Sequence, residues 1–168
     1  AYATNSNGTV YGQELSFITG TGFLDQEQPI HTYGFAVYKD FYRWQTFEAT
    51  SGNISTLELH VSTRNPTGNC TVYLQSENGS VTYAVESFGA MSLPESGWIQ
   101  MEVIPPLPTL SGTKYRISMI RSVLHDPENA IYWRGNRESD YSGFSDPDPD
   151  ENPSNWDNFD YAFRIYGY

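Results

Sequence analysis

Residues 54–61 read Ile-Ser-Thr-Leu-Glu-Leu-His-Val, so apolar and polar side chains alternate along this stretch. Alternation with a period of two is typical of a β-strand that buries one face and exposes the other. Residues 70–74, 98–103 and 115–119 alternate in the same way. A helix would instead place its apolar residues about 3.6 positions apart, and almost none of the chain follows that spacing. The pattern therefore predicts a protein built from β-strands.

Short strands and turns follow one another along most of the chain, and this spacing indicates a fold class. Turn-forming residues occupy 65–68, 77–79, 94–97 and 110–112, which separate the predicted strands. Regularly spaced short strands in one domain predict an all-β, two-sheet antiparallel β-sandwich. We expect the jelly-roll type, because the sole cysteine, Cys70, cannot supply the Cys…Trp…Cys spacing of an immunoglobulin domain. Further strands are predicted at 10–18, 31–38, 42–49, 80–87, 130–134 and 160–167.

Length and charge limit the classes of partner. The chain has 168 residues, the size of one domain, and a net charge of −11 from 20 acidic and 9 basic residues. A nucleic-acid partner is not expected, because binding phosphate backbones requires a basic stripe that the sequence lacks. No uncharged apolar stretch reaches the ~18 residues of a membrane span, so no membrane insertion is expected. The acidic balance instead favours hard cations such as calcium.

Several features predict secretion. The sequence begins Ala1-Tyr2-Ala3 without Met, as a chain does after removal of a signal peptide. It is also rich in N-x-S/T sequons, which accept N-linked glycans in secreted proteins. We therefore expect an extracellular or cell-surface glycoprotein. The four candidate glycosylation sites are Asn7, Asn53, Asn69 and Asn78.

Residues 138–160 form an acidic segment with eight Asp or Glu and no Lys or Arg. Converging carboxylates repel one another unless a cation neutralises them, and Ca²⁺ prefers six to eight oxygen ligands. The segment therefore predicts a calcium site, and the alternative is a solvated loop that contributes only solubility. The candidate ligands are Asp146, Asp148, Asp150, Asp157 and Asp160.

Aromatic residues near the acidic segment allow a sugar-binding interpretation, because stacked rings beside carboxylates suit a sugar platform. The candidate stacking residues are Tyr132, Trp133, Tyr141 and Trp156. The alternative is structural: large aromatics on strands usually lie in the core, and this would apply to Trp44, Trp98 and Trp133.

Catalytic motifs are poorly represented, and we do not expect an enzyme. The three histidines, His31, His60 and His125, are far apart in the sequence and form no metal-binding motif. His60 falls on the polar side of its predicted strand and is expected at the surface. Cys70 falls on the apolar side of its strand and is expected in the core.

Four short motifs support a family resemblance. They are Gln45-Thr46-Phe47, Asn65-Pro66-Thr67-Gly68, the step from Leu110 to Tyr115 (one residue shorter than usual) and the strand from Asp160 to Arg164. With them, residues 41–167 resemble the jelly-roll modules of secreted archaeal and bacterial surface proteins. Among these, the chain looks most like the subunits of archaeal extracellular filaments, the cannulae and bundling pili. The resemblance implies polymerisation with copies of itself by donated β-strands, and calcium at the subunit contacts of the cannula type.

Residues 1–22 precede the part that resembles the module, and we treat them as an N-terminal extension of a domain at 23–168. The extension is expected to donate a strand to a neighbouring subunit, or alternatively to form the first strand of its own sheet. The primary functional expectation is a subunit of an extracellular filament or tube, assembled by strand donation and stabilised by calcium. A secreted carbohydrate-binding or adhesive module, with surface glycans as its partner, is the alternative. The candidate assembly residues are Val10, Leu15, Phe17 and Ile18.

Overall fold

The structure, a computed structural model, describes residues 2–5, 8–11, 22–39, 42–50, 52–124, 126, 128–136 and 160–168. The regular structure there consists of β-strands and one 3-10 turn, Ala90–Ser92. The strands are β1 (Tyr2–Asn5), β2 (Gly8–Tyr11), β3 (Phe23–Gln28), β4 (Tyr33–Ala36), β5 (Arg43–Glu48), β6 (Asn53–Arg64), β7 (Asn69–Ser76), β8 (Thr82–Gly89), β9 (Ser96–Pro108), β10 (Lys114–Arg121), β11 (Ala130–Asn136), β12 (Asp160–Tyr161) and β13 (Phe163–Gly167).

Two antiparallel sheets form the body of the molecule, which confirms the predicted all-β class. The small sheet has four strands in the order β5-β10-β7-β8. The large sheet has seven, in the order β12-β11-β6-β13-β3, with β4 also pairing β11 and β9 pairing β6. Strands β1 and β2 form a separate two-stranded sheet.

Strand β6 crosses the middle of the large sheet and shows why the alternating sequence folds this way. Leu57, Leu59 and Val61 are fully buried toward the small sheet. Glu58 and His60, between them in sequence, therefore point to the outer face, because successive side chains of a strand alternate. The other three stretches that alternate with period two lie within β7, β9 and β10, as predicted.

The core lies between the sheets and is closed by aromatic side chains. The ring centroids of Phe47 in the small sheet and Phe163 in the large sheet are 6.0 Å apart. Trp133 is fully buried and stacks on Tyr161 with centroids 4.4 Å apart. Each such side chain contributes about 1.5–3 kcal/mol when it leaves water. Cys70 is also fully buried, as predicted, and burial raises the pKa of its thiol to about 12.

Ala162 lies between β12 and β13 and is hydrogen-bonded to two other strands of the large sheet, β11 and β6. Its N–H donates to the Arg134 carbonyl of β11 over 2.7 Å, and its carbonyl accepts from the His60 N–H of β6 over 3.2 Å. The Trp133 indole N–H donates to the same carbonyl over 3.0 Å. The chain at Ala162 therefore enters between β6 and β11, where those two strands part.

Several details differ from the sequence prediction, among them strand β1, which was not predicted. Strand β3 was not predicted, because its residues 25–28 are Asp-Gln-Glu-Gln and carry no apolar alternation. Strand β9 continues past residue 103 to Pro108. The strand predicted at 10–18 overlaps β2, which ends at Tyr11 and pairs with β1 as a hairpin.

Candidate functional site

The outer face of the large sheet carries a histidine pair at its centre. His60 is 5% exposed, which corrects the prediction that it lies at the surface. The His31 ring stacks on it with centroids 3.8 Å apart, and the Trp98 ring meets it edge-on at 5.1 Å. The alternation placed His60 on the correct face, but the residues that cover it come from distant parts of the chain.

The environment of His60 keeps its ring neutral at physiological pH. Burial lowers the pKa of His60 from 6.5 to about 4, and its electrostatic interactions with His31, Arg134 and Arg164 act in the same direction. Its Nδ1 atom is buried and has no hydrogen-bond partner among the described residues. Protonation would bury a positive charge whose Nδ1 has no described acceptor, and this costs folding free energy.

Arg164 closes the same face beside the histidines. Its guanidinium lies 4.1 Å from the centroid of the Trp98 ring. It forms ion pairs with Glu27 at 3.3 Å and with Glu58 at 3.4 Å, and the Tyr166 hydroxyl donates to Glu58 over 3.0 Å. The charges at this position are therefore satisfied within the protein.

The outer face of the small sheet carries a different arrangement, an open groove of about 190 Å³. Across the sheet, Trp44 pairs with Ser118, Ser118 with Tyr73, and Tyr73 with Val85, so these side chains share one row. The groove combines aromatic walls with hydrogen-bonding groups, and we call it the small-sheet groove. Its lining residues are Tyr42, Tyr73, Gln75, Arg116, Ser118 and Ile120.

Arg116 is the one charged residue among the described residues of that lining. Its guanidinium lies 5.7 Å from the Tyr42 ring centroid and 5.5 Å from the Trp44 ring centroid. One amino group donates to Gln75 Oε1 over 3.3 Å. A Cβ at Gly79, whose φ is +72°, would lie 1.9 Å from Arg116 Nη2. Glycine at this turn therefore leaves the space that the guanidinium occupies.

The predicted assembly residues fall in the N-terminal extension. Val10 belongs to β2 and pairs with Ala3 of β1 in the separate hairpin. Leu15, Phe17 and Ile18 lie outside the described residues. Strand donation by Val10–Thr19 therefore stays a prediction, although the first part of the extension is a hairpin and not a single extended strand.

Strand β8 is an edge of the small sheet. Within the described part of the chain it pairs with β7 on one side only. Tyr83 and Val85 along it are 43% and 58% exposed, and Val81, directly before it, is 48% exposed. An edge strand with apolar side chains and unpaired backbone groups is a template for another strand.

Of the predicted calcium ligands, only Asp160 is described. It begins β12 and is 3% exposed. Asp146, Asp148, Asp150 and Asp157 lie outside the described residues. Within the described ranges, no group of three or more His, Cys, Asp or Glu side chains is positioned to hold a metal ion.

Of the predicted sugar-stacking residues, only Tyr132 and Trp133 are described. Trp133 is fully buried against Tyr161, so it has no face for a ligand, and its structural interpretation is the correct one. Tyr132 is half-buried on β11, and Tyr141 and Trp156 lie outside the described residues. The structural alternative was wrong for Trp44 and Trp98, which lie half-buried on the two outer faces.

The asparagines of the four sequons differ in how exposed they are, and a glycan acceptor must be exposed. Asn78 is exposed in the turn between β7 and β8, and Asn69 is exposed at the start of β7. Asn53 is half-buried at the start of β6, and its Oδ1 accepts the Tyr168 N–H over 3.1 Å. Asn7 lies outside the described residues.

Comparison with models of protein families finds no match, and comparison with curated proteins finds no significant match either. In the described part of the chain, no helix has both the length and the apolar character needed to cross a membrane.

Proposed function

We propose that this protein is a secreted, non-catalytic structural subunit of an extracellular filament or tube, assembled by β-strand addition between copies. The observation that carries the proposal is the N-terminal hairpin, whose two strands pair with each other and with no strand of the sandwich described here. An isolated hairpin of two strands is only marginally stable in water. Addition to the sheet of another copy would supply the missing pairing.

The edge strand β8 is the best acceptor for an added strand. Proteins protect edges with short strands, prolines, lysines or inward charges. Strand β8 is eight residues long, contains no Pro or Lys, and has a single charged residue, Glu86. Strand β9, by contrast, ends in a segment with Pro105, Pro106 and Pro108, which have no N–H to donate.

The other edge of the small sheet is covered within the chain. Strand β5 forms that edge, and its Gln45 Oε1 accepts the Tyr161 N–H from β12 over 3.1 Å. Gln26 of β3 also donates its side-chain amide to the Glu48 carbonyl at the end of β5. An incoming strand would have to displace the Gln26 contact, because it occupies a backbone carbonyl of β5, so β8 is favoured over β5.

The order of strands supports a jelly roll as the detailed topology. Along the chain, β4, β6, β9 and β11 belong to the large sheet, whereas β5, β7, β8 and β10 belong to the small one. The spatial orders β4-β11-β6-β9 and β5-β10-β7-β8 are those of eight strands wound as two Greek keys. Strands β3, β12 and β13 are additions to the large sheet in this interpretation.

Calcium and glycans complete the proposed extracellular role. The acidic segment 138–160 would bind Ca²⁺ through carboxylate oxygens, the ligands that this ion prefers. Asp160, a buried carboxylate at the start of β12, has the chemistry such a site needs. Asn69 and Asn78 are exposed enough to accept glycans.

The test is a single substitution on the acceptor edge. In Val85→Lys, a charge on the 58% exposed side chain would oppose strand addition at β8 without disturbing the core. Leu124→Lys is the matched control, because Leu124 is 61% exposed in a loop. We expect filaments in electron micrographs of the wild type and the control, and monomers for Val85→Lys. Filaments from Val85→Lys would exclude β8 as acceptor, and a monomeric wild type would exclude the proposed function.

A further inference from the structure

We propose that the small-sheet groove binds an acidic saccharide, a sugar whose ring carries a carboxylate. The proposal goes beyond assembly and does not depend on it. It rests on residues that the sequence analysis did not single out as a site: Tyr42, Tyr73, Gln75, Arg116 and Ser118.

The aromatic residues of the groove suit the apolar face of a sugar ring. Tyr42 is 43% exposed and Tyr73 is half-buried, so both have ring surface that a ligand can reach. Gln75 provides an amide between them, and the buried Ser118 supports that amide from within the sheet by a hydrogen bond. A few polar groups among aromatic side chains are the usual composition of a small-ligand site. At about 190 Å³, the groove suits one or two rings lying on the sheet.

The charge of Arg116 selects an acidic ligand over a neutral one. Within the described residues its guanidinium makes one hydrogen bond, to Gln75, and no ion pair. Arg164, Arg64 and Lys114 each pair with a carboxylate of the protein. None of the described lining residues of the groove is acidic. A ligand carboxylate would supply the anion that the protein does not, and guanidinium–carboxylate hydrogen bonds are among the stronger ones.

The polar groups of the groove are held in place before any ligand arrives. Gln75 Oε1 accepts from Ser118 Oγ over 2.8 Å as well as from Arg116. Gln75 Nε2 donates to Thr82 Oγ1 over 3.2 Å, which fixes the orientation of the amide. The rings of Tyr42 and Trp44 flank the guanidinium. Because these side chains are already ordered, binding costs less conformational entropy.

The net charge of −11 does not oppose an anionic ligand at this position. Exposed charges farther than about 8–10 Å are largely screened at physiological ionic strength. In the adjacent turn, the Glu77 carboxylate is 3.9 Å from the Lys114 ammonium group, which offsets its charge. Arg116 carries the one charge among the described lining residues of the groove.

The experiment is a titration of the full chain with trigalacturonate, followed by calorimetry and by amide chemical shifts, with neutral galactotriose as the comparison. We expect trigalacturonate to bind at least about tenfold more tightly, because a charge-assisted hydrogen bond is worth about that factor. Arg116→Gln should remove this preference, and Tyr73→Ala should weaken both ligands. Arg64→Gln is the matched control, because it removes one arginine charge from the large sheet, away from the groove. This variant should bind both ligands as the wild type does.

Several results would overturn the proposal. One is the absence of trigalacturonate binding at about 10 mM, a concentration that would reveal even a weak site. Equal affinity for the neutral sugar, or unchanged affinity in Arg116→Gln, would overturn it as well. If Arg116→Gln fails to fold, the wild-type shifts decide: perturbed amides at Tyr73, Gln75 and Ser118 support the groove, and perturbation elsewhere refutes it. Filament formation is measured separately, so failure here leaves the assembly proposal intact.

Discussion

The imidazole ring of His31 stacks on that of His60, with 3.8 Å between centroids and 13° between planes. His31 lies between β3 and β4, whereas His60 lies at the point where β6 passes from pairing with β13 to pairing with β11. The stack therefore ties the connection between two edge strands to the centre of the large sheet. It also buries an imidazole that titrates near neutral pH when exposed.

Stability should fall as the pH is lowered from 7 to 5, and His60 should be one cause. Its pKa is lowered to about 4 in the folded protein, against 6.5 when exposed. Between these values the unfolded chain binds the proton and the folded chain does not, so unfolding is favoured as pH falls. The expected loss is about 1–2 kcal/mol of unfolding free energy, measured from urea midpoints at pH 7, 6 and 5.

The variant His60→Gln isolates this effect, because it removes the titrating ring and leaves every other ionisable group in place. Its unfolding free energy should depend less on pH than that of the wild type over the same range. An NMR titration of the wild type gives the pKa directly. A His60 ring that titrates near 6.5 would contradict the burial seen here.

The sequence predicted most strands, because a half-buried strand must alternate whatever its neighbours are. It did not predict β3, whose Glu27 is accommodated by an ion pair with Arg164 from the far end of the chain. It also assigned His60 to the surface, because alternation identifies a face but not what covers it. Its cover, His31 and Trp98, is brought there by the fold.

The small-sheet groove could not be predicted from sequence. Tyr73 and Ser118 are neighbours only because β7 pairs with β10 in one particular register. Arg116 fits beside the turn only because position 79 has no side chain. Neither relationship produces a short sequence motif that could be recognised in advance. Proximity in the sequence suggested other residues for sugar stacking. One of them, Trp133, is fully buried in the core.

Native material should carry glycans on Asn69 and Asn78. Both are exposed, whereas the half-buried Asn53 uses its side-chain oxygen to accept the Tyr168 N–H. The intact mass should exceed the 19.0 kDa of the polypeptide. In the native host, Asn69→Gln and Asn78→Gln should each lower that mass by one glycan, and Asn53→Gln should leave the glycan mass unchanged. A wild-type mass equal to the bare chain would exclude glycosylation.

Removal of calcium should lower the thermal stability. A ligand present at a hundred times its dissociation constant stabilises the folded state by about 2.7 kcal/mol, or about 5–10 °C for a chain of this size. EDTA should therefore lower the melting temperature, and excess Ca²⁺ should restore it. The double substitution Asp148→Asn with Asp150→Asn should abolish the response, whereas Glu95→Gln with Glu102→Gln, which removes two exposed carboxylates of or beside β9, should keep it. An unchanged wild-type melting temperature would identify the segment as a solvated acidic loop.

Deletion of residues 1–19 should give a folded protein that no longer assembles. The strands of the small and large sheets lie between Phe23 and Gly167, so the sandwich described here retains all of its pairs without the hairpin. The unfolding free energy should then change by no more than about 0.5 kcal/mol, as for changes away from the core. Sedimentation should show a monomer for the truncated protein and polymers for the full chain. In a mixture of the two, the truncated protein should not donate a strand to the full chain, because it lacks the hairpin. A truncated protein that loses several kcal/mol of stability with the same oligomeric state would mean that the extension belongs to its own domain.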